Sequence, residues 1–142
     1  MTQDKELLLK DLCARLPYGV KMNHIADDEH SPKTLIGVAK DMITLSSSAG
    51  YSCVDVEHYK PYLFPLSSIT EEQRNNVSKL LIETQNEFSP YGKLNMKGCD
   101  NLFICVIKQA NALINYCLTY HLDINGLIDK GLAIDATGLN IY

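Results

Sequence analysis

Two histidines and three acidic residues lie within seven positions, in the segment His24-Ile25-Ala26-Asp27-Asp28-Glu29-His30. Imidazole and carboxylate groups are common ligands of zinc and manganese. A metal site also needs rigid elements and outer hydrogen bonds that fix its ligands, whereas this segment is typical of a polar turn between strands. We interpret it as a solvated acidic turn, and we expect no metal and no cofactor.

Cys117 and His121 form a second candidate pair, because residues four apart on a helix share one face. They could supply half of a zinc site or a thiolate pair. No matching Cys/His pair completes the site, so we interpret Cys117 as a core thiol on an apolar stripe. Cys53 and His58 have opposite strand parity and form no dyad.

Several catalytic and nucleotide-binding motifs are absent from the sequence. It contains neither G-x-G-x-x-G nor G-x-x-x-x-G-K-[ST], and the Ser46-Ser47-Ser48 run lacks the G-x-S-x-G elbow. Nucleotide binding through these motifs and serine-hydrolase chemistry are therefore not indicated. We expect that the protein is not an enzyme.

The clearest candidate interaction surface is an extended segment that holds three aromatic residues, one lysine and two prolines. Large aromatic rings and a proline-stiffened backbone suit a contact surface. Alternate residues point to opposite faces of a strand, so we expect at least one ring to be exposed. The alternative is that the segment packs beneath the following helix. The candidate surface residues are Tyr59, Lys60, Tyr62 and Phe64.

The elements that must position these residues begin with an amphipathic helix over residues 2–16. Thr2 can cap its start and Pro17 ends it. Leucines recur at helical spacing on one side, and we place Asp11 and Arg15 on the other, polar side. Strands follow over about residues 18–66, with Thr34–Leu45 as one run and 59–66 as an edge strand or crossover.

Three helices are predicted after the strands, over about residues 70–88, 100–122 and 124–130. Thr70-Glu71-Glu72-Gln73 has the pattern of a capping box. The middle helix carries a continuous apolar face, which we expect to form the core seam. Its seam residues are Val106, Ala110, Leu113, Ile114 and Cys117.

Length and composition indicate an ordinary globular protein. The chain has 142 residues, 46% of them hydrophobic and 21% charged, which favours a single domain over residues 1–142. Strands bracketed by helices predict an α+β fold. We expect a small antiparallel sheet, either barrel-like or flat with helices on one face, flanked by an N-terminal helix and C-terminal helices.

The five cysteines include no C-x-x-C pair, and an odd number leaves at least one unpaired. The first ten residues lack the pattern of a signal peptide, and no stretch of 18 apolar residues occurs. We therefore expect reduced thiols, a cytoplasmic location and no membrane partner.

Three segments resemble an uncharacterised family of small proteins of gut anaerobic bacteria and their phages. They are LLKDLCARLPYGVK from Leu8, YKPYLFPLSSITEEQ from Tyr59 and DINGLIDKGLA from Asp123. The resemblance implies a phage or mobile-element setting, a helix followed by strands, and a helical end.

These observations favour a non-enzymatic interaction or accessory protein whose partner is another protein. The alternative is a nucleic-acid-binding accessory factor in which a small β-barrel presents Lys21, Lys40 and Lys60. The net charge of −4 does not indicate a nucleic-acid partner. A metal-dependent enzyme at His24 to His30 is the third and least favoured hypothesis.

The acidic turn generates a first prediction. Because its ligands lack rigid supports, a chelator should leave the melting temperature of the protein unchanged. Thermal unfolding followed by circular dichroism with and without EDTA checks this expectation. A fall of several degrees in EDTA would restore the metal hypothesis.

Overall fold

The computed structural model describes residues 2–88 and 98–142, with side chains described for 2–83 and 103–142. The chain divides into two compact units, Met1–Ser68 with Leu118–Tyr142 and, separately, Ile69–Cys117. The single domain predicted over residues 1–142 stays a prediction, because a compact unit need not fold independently. The loop predicted between the second and third helices falls largely on residues 89–97, outside the described residues.

The first unit opens with helix α1, Gln3–Arg15, as the sequence predicts. The hydroxyl of Thr2 accepts a hydrogen bond from the backbone N–H of Lys5 at 3.3 Å and so caps the helix. The leucine side of α1 enters the core, with Leu12 fully buried.

The prediction that Asp11 and Arg15 lie on a solvated side of α1 is wrong. Both are buried, with 2% and 0% of their surfaces exposed, and they form an ion pair. Arg15 Nη2 also donates to the carbonyl oxygen of Leu122 at 2.8 Å, and Asn125 Nδ2 donates to Asp11 Oδ1 at 2.8 Å. The pair is buried because the chain returns over α1 and supplies these polar partners.

A six-stranded sheet forms the body of the first unit, in the order β4-β3-β2-β1-β5-β6. All neighbouring strands are antiparallel except the β5–β6 pair, which is parallel. The α+β prediction is confirmed, and the sheet is not closed into a barrel. The strands are β1 Lys21–His24, β2 Lys33–Ala39, β3 Met42–Ser47, β4 Gly50–Asp55, β5 Tyr59–Leu63 and β6 Ile134–Asp135.

The predicted run Thr34–Leu45 is divided between two strands. Ala39 pairs with Met42, which leaves Lys40 and Asp41 as the turn of the β2–β3 hairpin. Lys40 has a φ of 55°, the left-handed conformation that tight hairpin turns require. The sequence offers no glycine or asparagine at this turn, so its turn chemistry was missed.

β5 is neither an edge strand nor a crossover, because it pairs with β1 on one side and β6 on the other. The N–H of Ile25 donates to the carbonyl of His58, so these two residues form a hydrogen-bonded pair. Hydrogen-bonded and non-hydrogen-bonded pairs alternate along an antiparallel ladder. Met22 and Pro61, three pairs away, therefore form a non-hydrogen-bonded pair. The nitrogen of Pro61 therefore faces away from β1. Pairing with β6 begins only at Tyr62, and no ladder bond is lost.

One face of the sheet packs on α1 to make the hydrophobic core. Strand parity places Tyr59 and Leu63 on this face, and both belong to the core cluster. Met22 and Leu35 are buried beside them, with the leucines of α1 above. The sheet and α1 thus form two layers around one core.

The second unit contains helices α2, Glu71–Phe88, and α3, Gly98–Thr119. The capping box is confirmed: Thr70 N–H donates to Gln73 Oε1 at 2.9 Å, and Gln73 N–H donates to Thr70 Oγ1 at 3.2 Å. The predicted start of α2 is therefore correct to one residue. α3 ends at Thr119, three residues before the predicted end.

The helix predicted over residues 124–130 is absent, and that segment forms turns. The carboxylate of Asp123 accepts hydrogen bonds from the N–H groups of Leu127 and Ile128, both at 2.9 Å. Gly126 has a φ of 68°, which a continuous helix cannot contain. Gly131 takes the predicted left-handed conformation, with a φ of 71°.

The buried ion pair generates a second prediction. Arg15→Ala should lower the free energy of unfolding by about 3–5 kcal/mol, because it leaves Asp11 buried without a countercharge. Asp11→Leu/Arg15→Leu, which removes both charges, should be clearly more stable than Arg15→Ala. Urea denaturation measures both variants, and a loss below about 1 kcal/mol for Arg15→Ala would contradict the assigned role.

Candidate functional site

The aromatic segment predicted as an interaction surface lies inside the first unit. Tyr59 is 6% exposed, Tyr62 is fully buried, and Phe64 and Lys60 are partly buried. The expectation that at least one of the three rings is exposed is wrong. The segment is covered because Tyr59 packs in the core on one face of the sheet, and side chains from His30 and Tyr142 lie against Tyr62 and Phe64 on the other face.

The face of β5 opposite the core is covered by two ring contacts. His30 Nδ1 lies 2.6 Å from the hydroxyl of Tyr62, and burial raises the pKa of that tyrosine. The ring of Tyr142 lies 6.0 Å from that of Phe64, centroid to centroid. The hydroxyl of Tyr142 donates to the carbonyl of Tyr62 at 2.7 Å and accepts from the N–H of Lys21 at 3.0 Å. Mainly through burial, its pKa is raised to about 12.

The acidic turn between β1 and β2 is organised by Asp27. Its carboxylate accepts hydrogen bonds from the N–H groups of Ser31 and Glu29, and these bonds lower its pKa. The turn borders an open cavity of about 230 Å³, which His24, His30 and Lys60 also line. Among the described residues, no group of three or more His, Cys, Asp or Glu side chains could hold a metal ion.

Asn23, also at this cavity, is a residue that sequence reasoning missed. Its side chain is 3% exposed, and its Nδ2 donates to the backbone oxygens of Asp27 and His24 at 2.8 and 3.1 Å. Its Oδ1 is buried without a hydrogen-bond partner. A water donor would satisfy this atom. The sequence signal for Asn23 is the alternation of Lys21, Met22, Asn23 and His24, because alternate residues of a strand share a face and Asn23 shares one with Lys21.

His121 lies beyond the end of α3 at Thr119. The prediction that it shares a helical face with Cys117 is therefore wrong. His121 has a φ of 57° and stacks on Tyr142 at 3.7 Å between ring centroids. Its Nδ1 is buried without a partner. Burial, with the nearby charges of Arg15 and Lys21, lowers its pKa to about 4.

The predicted core seam of α3 is the feature that differs most from expectation. Residues spaced three and four apart on a helix lie on one face. Six apolar residues of α3 have this spacing, and we call them the apolar stripe: Phe103, Val106, Ile107, Ala110, Leu113 and Ile114.

The apolar stripe is exposed. The exposed fractions are 68% for Phe103, 54% for Val106 and 51% for Ile107. Leu113 and Ile114 follow with 37% and 44%, so the predicted core placement of this stripe is wrong. Cys117 alone of the predicted seam residues is buried, as the core-thiol interpretation requires.

A different flank of α3 contacts α2. Gln109 Nε2 donates to the carbonyl oxygen of Leu81 at 2.9 Å, and Cys105 is buried. Cys105 lies about 100° or more around the helix from each residue of the apolar stripe except Leu113, at 100° per residue. The described part of α2 therefore does not cover the stripe, whose large side chains remain at least 37% exposed.

Charge is nearly absent from this part of α3. Lys108 is the one charged residue between Phe103 and Thr119, and its position is off the apolar stripe. A helix side facing water ordinarily carries charged and polar groups. The stripe therefore has the composition of a buried surface although it is exposed.

Within the described ranges, no helix is long and apolar enough to cross a lipid bilayer.

Comparisons of the chain with known protein families, curated proteins and solved structures found no match.

The environment of His121 generates a third prediction, on pH. Its folded-state pKa of about 4 lies below the ordinary value of 6.5, so its contribution to stability is complete above pH 6.5 and is lost as the pH falls toward 4. Between pH 7 and 5 the wild type should lose about 1 kcal/mol more stability than His121→Asn, a figure reduced for partial solvent screening.

Urea denaturation at the two pH values measures this difference. Asparagine tolerates the left-handed backbone at this position. His58→Asn, at an exposed histidine, is the matched control and should keep the wild-type decline. An equal decline in the wild type and His121→Asn would exclude His121 as its source.

Proposed function

We propose that this protein acts by binding another protein through the apolar stripe of α3, as an interaction or accessory protein without chemistry of its own. The observation that carries the proposal is the exposure of five large apolar side chains on one face of one helix. A partner that covers them removes contiguous apolar surface from water, which is the main favourable term in protein association.

The size of the patch supports this proposal. At ordinary side-chain sizes, the exposed fractions of the apolar stripe correspond to roughly 500 Å² per chain, near the upper end for the largest patch on a monomer. Patches of this size often mark interaction sites. Single exposed apolar residues, such as Ile25 in the acidic turn, carry no such meaning.

The alternatives have less support. A nucleic-acid-binding role would need a basic surface, whereas the net charge is −4 and Lys21 Nζ is engaged with Thr34 Oγ1 at 2.6 Å. It was also tied to a closed barrel, and the sheet is open. We also propose a phage or mobile-element setting, which is supported by the sequence resemblance alone.

Site-specific photo-crosslinking tests the proposal as our fourth prediction. A photoreactive aromatic amino acid replaces Ile107 on the apolar stripe, and a matched chain carries it at Asn115, which is exposed on the same helix and is not three or four residues from any member of the stripe. Irradiation of expressing cells should give a protein adduct from position 107 and little from position 115.

Mass spectrometry identifies the adduct. Equal yields from both positions, or adducts from neither, would contradict binding through the apolar stripe.

A further inference from the structure

The apolar stripe repeats with a seven-residue period. Phe103 and Ala110 are seven residues apart, and so are Val106 and Leu113, and Ile107 and Ile114. In heptad terms these pairs occupy positions a, d and e. Three apolar positions in seven are typical of a helix that faces the core of a helical bundle, whereas a two-stranded coiled coil needs only two.

The described part of the second unit lacks the interior that such a helix requires. Among its described side chains, only Cys105 and Cys117 are buried, and no described side chain of α2 is. Ile82 of α2 is itself 58% exposed. A pair of amphipathic helices reaches a stable arrangement by burying its apolar faces against further elements.

On these grounds we infer that the occupant of the apolar stripe is a second copy of this chain, so that two α2–α3 pairs form a four-helix bundle. This inference rests on the proposed function and names its partner. A two-fold axis through the stripe brings the same patch from each copy together, which requires a surface that is compatible with itself.

The chemistry of the stripe meets that requirement. It contains no charged group, so two copies do not bring like charges together, and Lys108 is off the stripe. Ala110, near the middle, permits close approach of two helices, and larger side chains lie on both sides of it. A partner chosen by charge complementarity would instead require charged residues here.

The available area also suffices for a dimer. Two stripes bury roughly 1,000 Å² in total, which reaches the lower limit for a specific interface. We therefore expect a reversible dimer whose population depends on protein concentration.

Sedimentation velocity of the full-length protein, over a range up to about 100 μM, is the direct test and our fifth prediction. Ala110→Lys places a charge on the stripe, and Asn115→Lys places the same charge on an exposed residue about 140° around the helix from Ala110. Wild type and Asn115→Lys should dimerise. Ala110→Lys should raise the dissociation constant at least about tenfold.

A second matched pair guards against an effect of misfolding. Ile114 and Ile104 are 44% and 43% exposed. At 100° per residue, Ile114 lies about 40° around the helix from Ala110, in the middle of the stripe, and Ile104 lies about 120° from it. Ile114→Gln should weaken the dimer much more than Ile104→Gln, while circular dichroism shows the same helix content in both.

The outcomes separate this inference from the proposed function. A wild type that remains monomeric, or a dimer that all four variants leave intact, overturns the inference. In either case, crosslinking from position 107 to a different protein would still support the proposed function. A dimer lost only in the two stripe variants, with position 107 crosslinked to the same chain, supports both.

Discussion

The fold of the first unit depends on the buried ion pair of Asp11 and Arg15. An arginine with no exposed surface is costly to desolvate, and it is tolerated only where carboxylate and carbonyl oxygens surround it. Those oxygens come from α1 itself and from Leu122, at the other end of the chain. Asn125 also donates to Asp11. The N-terminal helix and the C-terminal segment are thereby held in one fixed relation.

The same C-terminal segment also determines what the sheet exposes. Tyr142 contacts His121 and Phe64 and bonds to the backbones of Tyr62 and Lys21. These contacts, together with His30 over Tyr62, cover the face of β5 opposite the core. The aromatic segment that looked suited to binding is therefore an internal strand, and its rings hold the structure together.

The two units differ in how much of their apolar surface is buried, and this difference supports the proposed binding role of α3. In the first unit, leucines of α1 and alternate residues of the strands share one core. In the second, α3 presents its most apolar side to solvent. A surface of that kind gains free energy when a partner covers it, so it is where an intermolecular contact is most favourable.

Local patterns in the sequence determined much of the fold. The Thr2 cap, the Thr70–Gln73 capping box, the helical period of α1 and α3, and the alternation in β1 and β5 each act between residues close in the chain. They were enough to predict the α+β class and the positions of three helices. The hairpin at Lys40 was missed because no glycine or asparagine marks it.

Burial was decided by the tertiary structure alone. An apolar stripe indicates that one side of a helix favours burial. The surface that buries this side lies elsewhere in the chain or in another molecule. The helical period placed Asp11 and Arg15 on the polar side of α1, yet their burial as an ion pair depends on Leu122, 107 residues away from Arg15. For the same reason the stripe of α3 and the rings of β5 were assigned to the wrong environments. Hydrophobic periodicity fixes which residues share a side, whereas exposure depends on long-range packing that periodicity does not encode.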